Sequence, residues 1–364
     1  MKRINHLFEK IITYENLHNA YLNARKGKRY RKEVLEFTMN LEENLIQIQN
    51  ELTSKTYKVG KYREFYIYEP KKRLIMALPF KDRVVQWAVY QVIEPLLDKQ
   101  FIEHSYGCRT GKGTQKAADD LQNAVRKMER SHERPYYLKI DISKYFYRID
   151  HDVLLSILDR KFKDPDLMWL LGLVVRSEDM KFGVPLGDHE FNEERLEGLG
   201  MPIGNLLSQI FANLYLNELD QFVKHELRVH YYFRYMDDMI ILYQDKHELR
   251  KILEEIDLYL KSELKLQLNN KTTIRPTNNG ITFVGQRIWS THKKLSKETA
   301  KKMKSRLKYL KKSYARGEVS LDEVKQTLAS YFGLMKHMDC YRLKVKISKD
   351  FVLVRNSEDE KKVA

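Results

Sequence analysis

Residues 233–242 read FRYMDDMIIL. Asp237 and Asp238 stand side by side in an otherwise apolar and aromatic run. Two carboxylates roughly 4 Å apart repel each other, and burial raises the penalty. A fold that contains this stretch must therefore put the pair at a turn and offset its charge. A solvated turn, a basic partner or a metal ion would each do so. The flanking runs YYFRY and MIILYQ predict two strands that meet at the pair.

A metal ion would call for a further carboxylate from another element. Asp141 ends the apolar strand YYLKI, and the turn DISKYF follows it. Asp141 beside Asp237 and Asp238 would give oxygen ligands suited to Mg²⁺, with substrate phosphates completing the shell. Mn²⁺ is a plausible substitute. Two such ions about 3.5–4 Å apart can serve transfer at phosphorus, one on the attacking hydroxyl and one on the leaving group. No protein nucleophile is then needed. Asp150 and Asp152 follow the turn and read as helix caps or solvated side chains, not ligands. An exposed acidic turn is the competing reading of Asp237-Asp238.

Charge widens the argument. The 364 residues carry a net charge of +16, which points to a polyanionic partner, nucleic acid before an acidic membrane surface. With 43% hydrophobic residues, the chain can build a large core in two or three lobes. No apolar run approaches the roughly 20 residues of a membrane span, so no membrane partner is expected. The first residues, with Glu9 and Glu15 among them, lack the apolar centre of a secretion signal, and a cytoplasmic location is expected. Cys108 and Cys340 support neither a disulfide scaffold nor a zinc site. Nothing in the sequence fixes an oligomeric state.

Periodicity predicts a helical region over 1–50, with Leu35, Phe37, Leu41, Leu45 and Ile48 as its stripe. Alternation predicts a basic hairpin near 62–68 and 74–78, turning at Glu69-Pro70-Lys71-Lys72. Helices are expected near 82–97, 114–130, from 150, from 205 and at 246–262, the last carrying Leu249, Ile252, Leu253, Ile256, Leu258 and Leu260. A strand is expected at 136–142, a polar loop or hairpin near 176–199, and a last hairpin in NGITFVGQRIWS. The remainder reads as a basic helical module, in which Ser320 and Glu323 have capping-box spacing. The order is α+β with a separate helical lobe: 1–50 helical, 51–135 and 136–290 mixed, 291–364 basic and helical.

FRYMDD resembles the catalytic motif of reverse transcriptases, and LKIDISKYF resembles their first catalytic motif. MPIGNLLSQ, RLIMALPFKDRVVQ, SYGCRTGKG and GITFVG resemble further blocks of that family, in the family's order, over roughly residues 60–290. The resemblance implies a right-hand polymerase fold with fingers (51–135, with part of the palm), an antiparallel-sheet palm (136–290) and a helical thumb (291–364). It implies an RNA-directed DNA polymerase acting on template RNA, nascent cDNA and dNTPs, with Asp141, Asp237 and Asp238 holding two Mg²⁺ ions. Phe146, five residues after Asp141, falls where the family places a steric gate against the ribose 2′-hydroxyl. Arg73 is expected on the incoming triphosphate, with Lys71 or Lys72 assisting and Arg83 either assisting or anchoring a helix. Ile203, Gly204 and Gln209 are expected near the nascent pair, and Lys271 near the pyrophosphate. Arg109 and Lys112 are expected on template phosphate or fingers backbone. RTGKG lacks the full phosphate-loop pattern, which excludes ATPase chemistry of that type. Tyr235, Met236, the primer-grip-like Gly280 and Gly285, and Lys301, Lys302 and Arg306 in the basic helix are expected along the nucleic acid.

Many family members have glutamine where Ile203 stands and proline where Gln209 stands. The I-G-N-x-x-S-Q form resembles reverse transcriptases of diversity-generating retroelements. That resemblance implies a structured template-repeat RNA, errors directed at template adenines, a basic accessory variability protein, and a bacterial or phage gene. A group II intron maturase-like enzyme, a defence-associated polymerase and a non-catalytic RNA-binding scaffold are the alternatives.

Overall fold

The computed structural model describes residues 4–68, 73–177, 180–185 and 195–355. Four helices open the chain: α1 (Phe8–Ile11), α2 (Tyr14–Ala24), α3 (Lys32–Met39) and α4 (Leu41–Thr53). Strands β1 (Arg63–Ile67) and β2 (Arg73–Ala77) pair antiparallel, with Ile67 opposite Arg73. Next come α5 (Phe80–Asp98), α6 (Thr114–Ser131), β3 (Tyr136–Asp141), α7 (Tyr145–Arg148), α8 (His151–Lys161), α9 (Pro165–Arg176) and α10 (Leu206–Gln221). A π-helical turn, Phe222–Glu226, ends α10 ahead of β4 (Tyr231–Tyr235) and β5 (Asp238–Tyr243). Then follow α11 (Lys246–Ser262), β6 (Thr273–Pro276), β7 (Ile281–Phe283), β8 (Gln286–Ile288) and β9 (Lys293–Leu295). Helices α12 (Lys297–Ala315), α13 (Leu321–Met335) and α14 (Tyr341–Asp350) complete the described chain. One sheet has the order β4-β5-β3-β6, and β7-β8-β9 form an antiparallel meander.

The chain divides into two compact units. The first comprises Met1–Thr110, Ile140–Met239 and Arg250–Thr272. Its central helix is α5, whose Val84, Val85, Ala88, Val89, Ile93 and Leu97 are fully buried, and on which α2 and α10 pack. Helix α10 is buried on nearly every side from Leu207 to Asp220, so no single apolar stripe marks it in the sequence. Helices α8 and α9 start at Asp150 and Asp164, whose carboxylates accept from the Val153 and Leu167 amides. Asp150 is therefore a cap, as its place after the turn predicts.

The second unit comprises Gly111–Lys139, Ile240–Leu249 and Thr273–Ala364. Here α6 turns Ala117, Leu121 and Val125 inward, while Gln122 and Arg126 donate to the Trp289 and Ser290 carbonyls at 3.0 and 3.2 Å. Strand β3 pairs with β6, Tyr136 opposite Pro276. Helices α12–α14 close on Leu295, Met303, Leu307, Met335, Cys340 and Ile347. Ser320 and Glu323 form the reciprocal capping box at the start of α13.

Two details differ from the sequence reading. Lys293–Leu295 is a third strand of the last hairpin, not the start of the helical module. Leu35 and Leu258 are 51% and 63% exposed; Val34 takes the inward position on α3, and Ile256, already named for α11, is buried there. The turn 69–72 and residues 178–179 and 186–194 of the polar stretch lie outside the described residues. Among the described residues no helix is long and apolar enough to cross a membrane.

Candidate active site

Tyr232, Phe233 and Arg234 of β4 are buried, as are Met239, Ile240, Ile241 and Leu242 of β5. Burial relaxes between them: Tyr235, Met236, Asp237 and Asp238 are all half-buried. Met236 takes a left-handed φ of +54°, which turns the chain between the strands. Gly107 lies directly against this turn. A Cβ there would stand 2.6 Å from Met236 Sδ and 3.0 Å from its backbone nitrogen. The segment leading to Gly107 pairs in parallel with β4: Arg234 N donates to His104 O at 2.9 Å, and Tyr106 N to Arg234 O at 3.0 Å. The first half of SYGCRTGKG thus buttresses the acidic hairpin.

Asp141 is the last residue of β3, the hydrogen-bonded neighbour of β5, and β5 opens on Asp238. The Asp141 backbone is fixed on its other side. Its carbonyl accepts from Asn269 N at 2.8 Å, its amide donates to Thr272 Oγ1 at 3.4 Å, and Ile142 bridges to Leu268. These bonds bring the turn holding exposed Lys271 to the Asp141 end of the strand. Asn269 Oδ1 in turn accepts from Lys271 N at 3.2 Å.

Among the described residues no group of three His, Cys, Asp or Glu side chains forms a metal cage by itself. The donor chemistry still fits Mg²⁺, which commonly takes one or two carboxylates and completes its octahedron with water and substrate phosphates. Asp141, Asp237 and Asp238 are the residues that would hold it.

On the side expected to meet nucleotide, Arg73 is exposed at the start of β2, while Lys71 and Lys72 lie outside the described residues. Burial pushes the Tyr147 hydroxyl up to about 12, against the opposing pull of Arg73 and Arg195. Arg195 grips Glu64 of β1 with two bonds of 2.7 and 2.9 Å. Phe146 is half-buried on α7, and its carbonyl accepts from Met201 N at 2.7 Å. Ile203 O accepts from Met76 N of β2 at 3.2 Å. Gly204 has φ +114°, and a Cβ on it would lie 3.1 Å from Ile75 Cγ2. Main-chain bonds therefore lace β2, the 201–204 loop and α7 together. Gln209 is exposed on the first turn of α10.

Of its two expected contacts, template phosphate or fingers backbone, Arg109 makes bonds to the backbone. Its guanidinium is 7% exposed and donates to Asp98 Oδ1 and Oδ2 and to the carbonyls of Asp98, Ile102 and Ser105. These five bonds account for all five N–H groups, and Arg109 holds the protein. Arg83 likewise anchors its helix, donating to Leu78 O at 2.9 Å and to Glu33 at 2.6 Å. Half-buried Lys112 precedes α6 in the second unit. In that unit Gly280 and Gly285 both have positive φ, +74° and +77°. A Cβ on Gly280 would run into the Trp289 ring, so glycine is required there. Lys301, Lys302 and Arg306 are exposed on α12, Lys302 paired with Glu298 and Arg306 lying 5.1 Å over the Tyr309 ring.

Sequence reasoning missed Arg195, and it missed Arg234, Asp220 and Asn213, which stand behind the hairpin. Arg234 and Asp220 are fully buried and joined at 2.6 Å. The available signal was an arginine inside an apolar strand, one residue before Tyr235.

The family described as reverse transcriptase (RNA-dependent DNA polymerase) matches residues 68–288. The chain belongs to this family, a class of RNA-directed DNA polymerases, and its α+β architecture with antiparallel sheets is the right-hand polymerase fold. It is 26% identical over 277 residues to protein YkfC of Escherichia coli, covering 66% of this chain and 70% of YkfC. It is also 26% identical over 275 residues to the group II intron-encoded protein LtrA of Lactococcus lactis, covering 73% of this chain and 42% of LtrA. A putative COX1/OXI3 intron 2 protein of Saccharomyces cerevisiae is 23% identical over 261 residues, covering 56% of this chain and 29% of that protein. The chain thus spans less than half the length of the latter two. Among solved structures, Candida tropicalis telomerase in complex with a fragment of telomeric RNA aligns at 15% identity and TM-score 0.48, covering 85% of this chain and 59% of that one.

Proposed function

We propose that this chain synthesises cDNA on an RNA template by nucleotidyl transfer at Asp141, Asp237 and Asp238. The observation that carries the reading is the meeting of β3, which ends in Asp141, with β5, which opens on Asp238. Mg²⁺ bound there, or Mn²⁺ in its place, supplies charge neutralisation at the phosphates and acidifies the primer 3′-hydroxyl. Arg73 grips the incoming triphosphate, assisted by Lys71 and Lys72, and a guanidinium fork suits that bidentate task. Phe146 gates the sugar against a 2′-hydroxyl. Lys271 lies at the Asp141 strand end and gives a proton to the leaving pyrophosphate. Tyr235, Met236, Gly280, Gly285 and the α12 cations follow the primer–template backbone, with Lys112 on template phosphate.

Asp238→Asn tests the core of this reading by primer extension on an RNA template with Mg²⁺. Extension should fall at least about a hundredfold, equivalent to about 2.7 kcal/mol of barrier, while RNA affinity is retained. Extension at the wild-type rate would remove Asp238 from the metal site.

The finer reading is a diversity-generating enzyme, working in a bacterial cytoplasm from a cellular or phage gene with a basic accessory protein and a structured template-repeat RNA. The sequence Ile203-Gly204-Asn205 followed by Ser208-Gln209 supports it. An aliphatic side chain at 203 offers no hydrogen bond beside the nascent pair, and such bonds help reject wrong partners. Sequencing cDNA made on the cognate RNA with the accessory protein should show errors concentrated opposite adenine, and Ile203→Gln should reduce them. Equal error opposite all four bases rejects this subtype. A maturase-like enzyme is the second reading, favoured by the similarity to intron-encoded proteins such as LtrA. An intron RNA around the gene would decide for it.

A further inference from the structure

Arg234 sits two residues before the turn residue Met236 yet has no access to solvent. Its Nε donates to Asp220 Oδ1 at 2.7 Å and its Nη2 to Asp220 Oδ2 at 2.6 Å. Tyr232 adds its hydroxyl to Asp220 Oδ1 at 2.8 Å. The other arm of the guanidinium, Nη1, reaches Asn213 Oδ1 at 3.0 Å and the Met236 carbonyl at 3.3 Å. Asn213 continues the chain of bonds, donating from Nδ2 to Gly107 O at 2.5 Å. Asn213 and Asp220 are seven residues apart on α10, two turns along one face.

A buried ion pair is a weak source of stability, because desolvating both ions consumes most of the attraction. Its geometry is the stronger asset. A guanidinium is a rigid planar fork, and this one is fixed on one side by Asp220. Its remaining arm ends on the carbonyl of Met236, the left-handed residue immediately before Asp237. Gly107, held through Asn213, presses on the same residue from the other side.

We propose that Arg234, braced by Asp220 and Asn213, is a positioning residue that sets the Met236 peptide and thereby the direction of the Asp237 and Asp238 carboxylates. This deepens the proposed function and rests on its assignment of those two aspartates. The network touches no reacting atom. It acts on the step in which the carboxylates must point together, so its loss appears in kcat and not in nucleotide KM.

Two variants test it. Arg234→Lys keeps the charge facing Asp220, but a single ammonium cannot bond Asp220, Asn213 and Met236 in the same planar arrangement. Asn213→Ala leaves the ion pair and cuts the link to Gly107, and it carries the test alone where Arg234→Lys fails to fold. Hydrogen exchange on the free protein reads the turn directly. Exchange at the 235–239 amides should quicken at least about tenfold, with α5 unchanged, and kcat should fall at least about tenfold with dNTP KM within about twofold. A network that only stabilises the unit would raise exchange throughout it, and that result overturns the inference, as does wild-type exchange at 235–239. Should the wild-type chain extend no primer while the variants still loosen the turn, the proposed function fails and the positioning role stands.

Discussion

All five N–H groups of Arg109 point at protein oxygens, and its removal is a stability experiment. Arg109→Ala leaves Asp98 and the Ile102 and Ser105 carbonyls without their donor. Breaking a pair buried on one side costs about 3 kcal/mol, less here to the extent that water reaches Asp98. Urea denaturation should register that loss, while RNA affinity below the melting range stays within about twofold. A tenfold weaker affinity at unchanged stability would return Arg109 to the template. The same residue type behaves differently at position 73, where the side chain is exposed. A single sequence names an arginine without naming its partners: the apolar strand around Arg234 signalled its burial, but neither the burial of Arg109 nor the pairing of Arg195 with Glu64 could be read from it. The two adjacent aspartates were legible because their mutual repulsion demands a turn whatever surrounds them.

Among the elements, α9 shows how one side chain fastens two helices. Asp164 accepts from Leu167 N at its own helix start and from Leu7 N and Phe8 N at the entry to α1. Burial pushes the Asp164 carboxyl up, but the amides of Phe8, Leu167 and Leu7 outweigh it, and the group ends below the usual carboxylate range. The unfolded chain therefore takes up the proton first. The stability that Asp164 contributes is full above its unfolded value of about 3.9 and is lost as pH falls from there through the lower folded value. Asp164→Ala should cost about 1–2 kcal/mol at pH 7 and flatten part of the acid-induced loss below about pH 4, read by urea titration at both pH values. An unaltered acid profile would contradict this. A capped element such as α13 was legible, since its signal is local, whereas α9 was read only as part of one helical segment starting near 150. Strand β9 was not: Lys293 and Lys294 resemble the basic helix that follows, and only pairing with β8 makes them a strand.

At the scale of the molecule, the net charge of +16 should make nucleic-acid binding fall steeply with salt. Replacing Lys301, Lys302 and Arg306 together by alanine should flatten the slope of log K against log salt by about 2, with fluorescence anisotropy across a salt series as the measurement. An unchanged slope would detach α12 from the backbone-tracking role, and the Lys302 pairing with Glu298 places that residue's share at the low end. Fold class was legible because blocks in a fixed order carry it over most of the chain. The lacing of β2 to the 201–204 loop was not, because it uses peptide groups that every sequence possesses. That lacing bears on how accuracy can change in such an enzyme. Met76 grips position 203 by its carbonyl, so exchanging the side chain there leaves the tether whole. If position 203 sets copying accuracy as proposed, one codon change there would alter that accuracy, back or forth, without a compensating substitution elsewhere in the scaffold.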